Sequence, residues 1–255
     1  MAGHSKWANI KHRKGRQDAK RSKMWSKCSR AIMVAVKHGG ADPDANLTLR
    51  YAIDEAKAEN MPKDTIANAI KKASGDADGV DYEEIVYEGY GPAGVAIMLD
   101  ILTDNRNRTA SDLRKVFEKG GGNLGATGCV SYLFTAKGQV FVAKTNDAGD
   151  EATEEAVMDA ALEAGAEDVI DGGEVWEVTT EPTDLGPVRD ALIAAGLTVE
   201  SAKLAMIPST TVEVTGKDAA KTLRLIENLE DHDDVQKVHA NFDVPEEELA
   251  ALDQG

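Results

Sequence analysis

The chain is short of aromatic residues, of cysteine and of long apolar runs, and each shortage closes off a class of function. Aromatics are 5% of the residues, too few for an extended platform on which the bases of a single strand stack. The two cysteines, Cys28 and Cys129, lie far apart with no second Cys or paired His at ligand spacing. That arrangement points away from a zinc site or a disulfide framework and toward a reducing compartment. No run of apolar residues is long enough to span a bilayer, and the N-terminus lacks the apolar stretch of a secretory signal. A cytoplasmic protein with no removable leader, no membrane contact and no metal site is expected.

What the sequence has in abundance is charge, and the two signs are segregated. Residues 1–38 hold seven Lys and four Arg against one acid, Asp18, a net of +10 in a chain whose formal total is -16. The remaining 217 residues therefore sum to -26. A basic arm on an acidic body implies a polyanionic partner, and the usual one is a phosphate backbone. The residues expected to meet it are Lys6, Lys11, His12, Arg13, Lys14, Arg16, Lys20, Arg21 and Lys23, continued by Lys27 and Arg30. Trp7 lies among them, either to stack on a base or sugar or to anchor the arm onto the first helix.

Hydrophobic periodicity divides the rest. From about Gln17 to His38, Trp25, Cys28, Ile32, Ala35 and Val36 share one side of a helix, with Lys20, Lys23, Lys27, Arg30 and Lys37 opposite and Gly39-Gly40 as the stop. Asp42-Pro43 predicts the start of a second helix reaching about Glu59, and Met61-Pro62 the start of a third ending at Gly75. Beyond a polar linker the texture changes to short strands alternating with helices. Strands are expected over Glu84–Glu88 and Val95–Thr103, a helix over Asn107–Lys119, then a glycine-rich loop and a strand over Cys129–Phe134. Residues 139–206 read as βαββαβ, the split βαβ pattern. After Pro208 come a strand (Thr211–Val214), a helix (Lys217–Glu230) and a strand (Val235–Asn241).

The fold class expected is α+β in three domains: a basic three-helix domain at 1–76, a ferredoxin-like domain made of 80–134 plus 208–243, and a second ferredoxin-like domain inserted at 135–207.

Gly89-Tyr90-Gly91-Pro92-Ala93-Gly94 matches G-x-G-x-x-G to the letter. However, a strand follows it where a dinucleotide cradle needs a helix N-terminus, and Pro92 removes an amide, so a hairpin turn is expected. Gly120 to Gly125 lacks the Lys-Ser/Thr pair of a P-loop; it is either a long turn or a donor of amides to an anion. Arg106 and Arg108, at a strand-to-helix junction, either clamp phosphate or pair with local acids while Asp104 or Asn105 caps the helix. His232 and His239 bracket an acidic turn and read as surface residues. No carboxylate pair or nucleophile arrangement recommends catalysis, and an enzyme is not expected.

The opening Ala2-Gly3-His4-Ser5-Lys6-Trp7-Ala8-Asn9-Ile10-Lys11-His12-Arg13-Lys14 resembles the signature of the YebC family. So do Gly40-Ala41-Asp42-Pro43-Asp44-Ala45-Asn46, Tyr87-Glu88-Gly89-Tyr90-Gly91-Pro92, Asp104-Asn105-Arg106-Asn107-Arg108-Thr109 and Gly121-Gly122-Asn123-Leu124-Gly125. The similarity extends through 161–168 and Met206-Ile207-Pro208, over nearly the whole chain. It implies a helical N-terminal domain with two α+β domains, and a cytoplasmic regulator without known cofactor. It also implies one of two targets: DNA, for a transcriptional regulator, or ribosomal RNA, for a ribosome-associated factor that helps synthesis past proline runs.

Overall fold

The structure, a computed structural model, describes residues 18–75, 82–145, 149, 151–173, 175–245 and 248. Among them it is an α+β fold with seven α-helices. Two compact units divide it: Leu133–Ser209 in one, and the described residues before Leu133 and after Ser209 in the other.

The larger unit opens with three helices, α1 (Asp18–Gly39), α2 (Leu47–Ala58) and α3 (Lys63–Ser74). The stripe read from the sequence is the buried one: Cys28, Ile32, Ala35 and Val36 pack with Leu49, Ala52, Ile66 and Ala69, and Trp25 leans on the same core. Helix α1 ends where Gly40 takes φ +85, the left-handed geometry that favours glycine. The start of α2 differs from expectation. Asp42 closes a turn by accepting the Asp44 N–H at 3.0 Å, and the cap is Asn46, whose Oδ1 accepts from the Leu49 N–H at 3.0 Å. Asn46 also donates to the Ala35 and Gly40 carbonyls, both at 2.8 Å. One buried amide thus begins α2 and ties down the end of α1, so its contacts outweigh the Asp-Pro pair.

The sheet of this unit has the order β3-β1-β2-β9, from β1 (Glu83–Tyr90), β2 (Ala96–Thr103), β3 (Asn123–Leu124) and β9 (Val235–Ala240). β1 and β2 form an antiparallel hairpin from Glu83↔Thr103 to Tyr90↔Ala96. Its turn is the 3-10 segment Pro92–Gly94, as the G-x-G-x-x-G stretch predicts when read as a turn. Helices α4 (Arg106–Lys119) and α7 (Gly216–Glu230) close the core. Phe117, Leu113, Ile226 and Leu229 meet Ile97, Leu99, Ile101 and Val235 there. On the opposite face Lys237 pairs with Glu55 of α2 at 3.4 Å, and His38 of α1 lies 3.8 Å from Glu84.

Two strand expectations are corrected. Residues 129–133 are not a strand: Ser131–Leu133 is a 3-10 turn, and one long strand, β4 (Phe134–Ala143), follows. The cause is Glu88, which draws the backbone N–H groups of Val130 and Ser131 out of any ladder. The strand expected at 211–214 shrinks to β8 (Val212–Glu213), which pairs in parallel with β10 (Phe242–Asp243) outside the main sheet.

The smaller unit runs β4, α5 (Glu154–Glu163), β5 (Ala166–Asp171), β6 (Val175–Thr180), α6 (Leu185–Ala194), β7 (Val199–Pro208). All its strand pairs are antiparallel in the order β5-β6-β4-β7, the arrangement expected of the split βαβ pattern.

Candidate nucleic-acid interface

The expected contact residues Lys6, Trp7, Lys11, His12, Arg13, Lys14 and Arg16 lie outside the described residues. Lys20 and Arg21 fall in the first turns of α1, where the backbone alone is described. The remaining five can be placed, and they divide into two kinds.

Lys23, Lys27 and Arg30 follow one another along α1 and all reach the same segment, the end of α7 and the turn into β9. Lys23 donates to the Asp231 carbonyl at 3.2 Å and lies 4.0 Å from the Asp233 carboxylate. Lys27, 7% exposed, donates to the Glu230 carbonyl. Arg30 donates to the Asp233 carbonyl and pairs with Asp234 at 3.5 Å. The carbonyls at 230 and 231 are the negative end of the α7 dipole, a natural seat for cations. Burial lowers the Lys27 ammonium to about 8, against the pull of Glu230 toward the charged form. Lys27 and Arg30 are thus committed to holding α1 on the sheet part of the unit, whereas Lys23 stays on the exposed rim.

Arg106 and Arg108 open α4. Asn105 is its cap, accepting from the Arg108 N–H at 3.1 Å, so the capping half of the local reading holds. Arg108 pairs with Asp104 at 2.5 Å and sits 3.8 Å from Asp234. The bond to Asp104 leads in raising its pKa. Arg106 is exposed and, among the described residues, enters no ion pair; its carbonyl accepts from the Tyr87 hydroxyl at 3.3 Å.

Asp234 joins the two groups, and sequence reasoning passed over it as one acid among forty-five Asp and Glu. It is 7% exposed. One oxygen takes Arg30 of α1; the other accepts from Thr109 at 2.6 Å and Thr103 at 3.3 Å. The two hydroxyls also meet each other at 2.8 Å. The signal in the sequence was the pair of threonines bracketing Asp104–Arg108, which are both fully buried.

Among the described residues the anion taken by backbone amides near the glycine-rich stretch is the protein's own, and the donors lie beyond Gly120–Gly125, which is left as a turn. Glu88, 3% exposed, accepts N–H bonds from Gly128, Val130 and Ser131, each at 2.7 Å. Burial pushes this carboxyl up, but the three amides outweigh it and hold it below its ordinary range. The glycines of the loop permit close approach: a Cβ on Gly122 would stand 2.3 Å from the Tyr90 carbonyl oxygen.

The histidines beside the acidic turn are not surface residues as expected. His239 is buried and bonded to Asp100 at 2.9 Å. His232, half-buried and with its pKa lowered by burial, accepts the Asp234 N–H at 3.2 Å. Among the described residues no helix is long and apolar enough to cross a membrane, and no group of three His, Cys, Asp or Glu is placed to hold a metal ion.

Comparison with known proteins covers nearly the whole chain. Residues 5–76 match the TACO1/YebC protein N-terminal domain, and residues 82–242 match the TACO1/YebC second and third domain. A probable transcriptional regulatory protein of Desulforapulum autotrophicum is 49% identical over 252 residues, 99% of this chain and 100% of that one. Another, of Geotalea uraniireducens, is 53% identical over 249 residues, 98% of each. Among solved structures, a conserved hypothetical protein of Aquifex aeolicus superposes with a TM-score of 0.78 at 47% identity, covering 90% of this chain and 93% of its own.

Proposed function

The chain belongs to the TACO1/YebC family, and from that premise we propose that it is a nucleic-acid-binding regulatory protein acting on transcription. The observation that carries the proposal is the segregation of charge: net +10 in residues 1–38 against -26 elsewhere. The names of the relatives, probable transcriptional regulatory proteins, support the regulatory half of the reading. The polyanion contact is assigned to the basic arm, with Lys20, Arg21 and Lys23 continuing it and Arg106 as a second contact. Lys27 and Arg30 are left out because their charges are taken up inside the protein. The working parts are 1–76, 80–134 with 208–243, and 135–207, in a cytoplasmic protein needing neither cofactor nor catalytic group.

A second reading, ribosomal RNA as target, is favoured by one feature of α1. Midway along the helix that would enter a major groove, Lys27 and Arg30 are spent on the carbonyls at 230 and 233 and are not available for base edges. Recognition by shape and charge is what structured RNA asks of a protein.

The test is a pair of measurements at physiological salt. One titrates the protein against promoter and scrambled duplexes; the other sediments it with ribosomes. Preference for the promoter duplex supports the transcriptional reading. Equal duplex affinities with ribosome cosedimentation transfer the function to translation.

A further inference from the structure

We infer that Asp234 is a positioning residue that couples the basic helix α1 to the arginine-bearing turn at the start of α4, so that Arg106 contributes to polyanion binding only while Arg30 holds that carboxylate. The inference rests on the polyanion-binding reading above and adds to it which residues make one surface out of two.

The geometry is that of a shared counter-ion. Arg30 comes from α1 and Thr109 from α4, and they occupy different oxygens of one buried carboxylate at 3.5 and 2.6 Å. Thr103 bonds the second oxygen and also accepts the Asn105 N–H at 3.0 Å. The backbone that presents Arg106 is therefore fixed, through one hydroxyl, to the group that receives α1. The Asp234 backbone is fixed too: its carbonyl accepts the Leu102 N–H at 2.8 Å. The carboxylate cannot follow α1 away without breaking its bonds to the threonines. Nor can it keep its charge comfortably without Arg30, since a buried carboxylate stripped of its partner must be rehydrated or find another cation. The nearest is Arg108, already within 3.8 Å. Loss of Arg30 thus draws Arg108 inward and re-aims the turn that carries Arg106, although among the described residues no hydrogen bond or ion pair joins Arg106 to Asp234 or α1.

The experiment measures dissociation constants for a scrambled duplex as a function of salt, using the full chain. Four proteins are compared: wild type, Arg106→Ala, Arg30→Met, and the two changes together. Removing one phosphate contact lowers the magnitude of the salt slope by about 0.9 on duplex DNA. That decrement is expected when Arg106→Ala is made in the wild type and is expected to vanish when it is made beside Arg30→Met. Arg30→Lys, which keeps a cation facing Asp234, restores it, whereas a purely structural defect has no reason to be cured in this way. Thr109→Val cuts the coupling from the α4 side and gives the same pattern should Arg30→Met fail to fold. An equal decrement in all backgrounds overturns the inference and leaves the polyanion reading standing. Wild-type binding that ignores salt overturns both.

Discussion

Glu88 illustrates how a single residue shapes a motif that looks like a ligand site. Its three amide bonds organise the loop from Gly125 to Ser131, and they were formed at the expense of the strand expected there. Hydrogen bonds to an ionised group contribute about 1.5–3 kcal/mol each in favourable cases. A glutamine keeps one acceptor oxygen and places an NH2 against donors. Glu88→Gln is accordingly expected to cost about 2–4 kcal/mol in denaturant unfolding at neutral pH. The pH dependence has a definite sign. The folded carboxyl ionises below its ordinary 4.5, so its contribution is whole above that value and is lost as pH falls through the depressed one. Below about pH 4.5 the wild type should therefore lose stability more steeply than Glu88→Gln, and parallel acid titrations of the two proteins check it.

At the scale of elements, α1 is held on one side by apolar packing and on the other by cations seated on the end of α7. Lys27 is the costly member of that seat. Its folded pKa of about 8 lies under the ordinary 10.5, so the unfolded chain binds the extra proton between those values and stability from this group rises with pH across that window. At neutral pH the full penalty is present, about 3 kcal/mol at order of magnitude. Cys28 works the other way: burial lifts its thiol from 9 to about 12, so above pH 9 the unfolded chain ionises first and stability falls. The difference between wild type and Lys27→Met isolates the lysine. That difference should shift in favour of the wild type as pH rises from about 8 to 10.5, as read by urea midpoints at matched pH.

The apolar face of α1 was legible because its code is local: Trp25, Cys28, Ile32 and Val36 recur with the period of the helix itself. So was the turn after Tyr90, since Pro92 forbids what a phosphate cradle requires. The opposite face of α1 was not legible in the same way. Lys27 and Arg30 meet partners more than two hundred residues away in the chain, and nothing in the spacing of lysines distinguishes one bound to a carbonyl from one facing water. His239 escaped for a related reason: an acidic stretch before it suggests solvent, but the strand register places it beside Met98 of β2, where it is buried and bonded to Asp100. Local periodicity finds the core side of an element; the destination of its polar side is decided by the tertiary fold.

Over the whole molecule, the distribution of charge determines which parts can face a polyanion. Leu133–Ser209 carries four Lys and Arg against sixteen Asp and Glu, and its cations are occupied. Lys137 pairs with Glu167 and Glu181, Lys144 with Asp171, Arg189 with Asp190, and Lys203 lies over the Phe141 ring. A net of -12 in that unit repels phosphate, which is why the proposed contact is put on the arm. Lys11, Arg13 and Lys14 are the densest part of the arm, and changing all three to Ala removes up to three phosphate contacts. The slope of log affinity against log salt should then fall in magnitude by about 2.7 on duplex DNA, or about 2 on single strands. Alanine at Lys137, Lys144 and Arg189 removes as many charges from the acidic unit and should leave the slope unchanged. Long-range repulsion does shift with the second set of changes, so absolute affinity moves in both triple variants. The slope counts displaced counter-ions at the contact itself, and equal slopes for the two variants would mean that the arm is not where the nucleic acid sits.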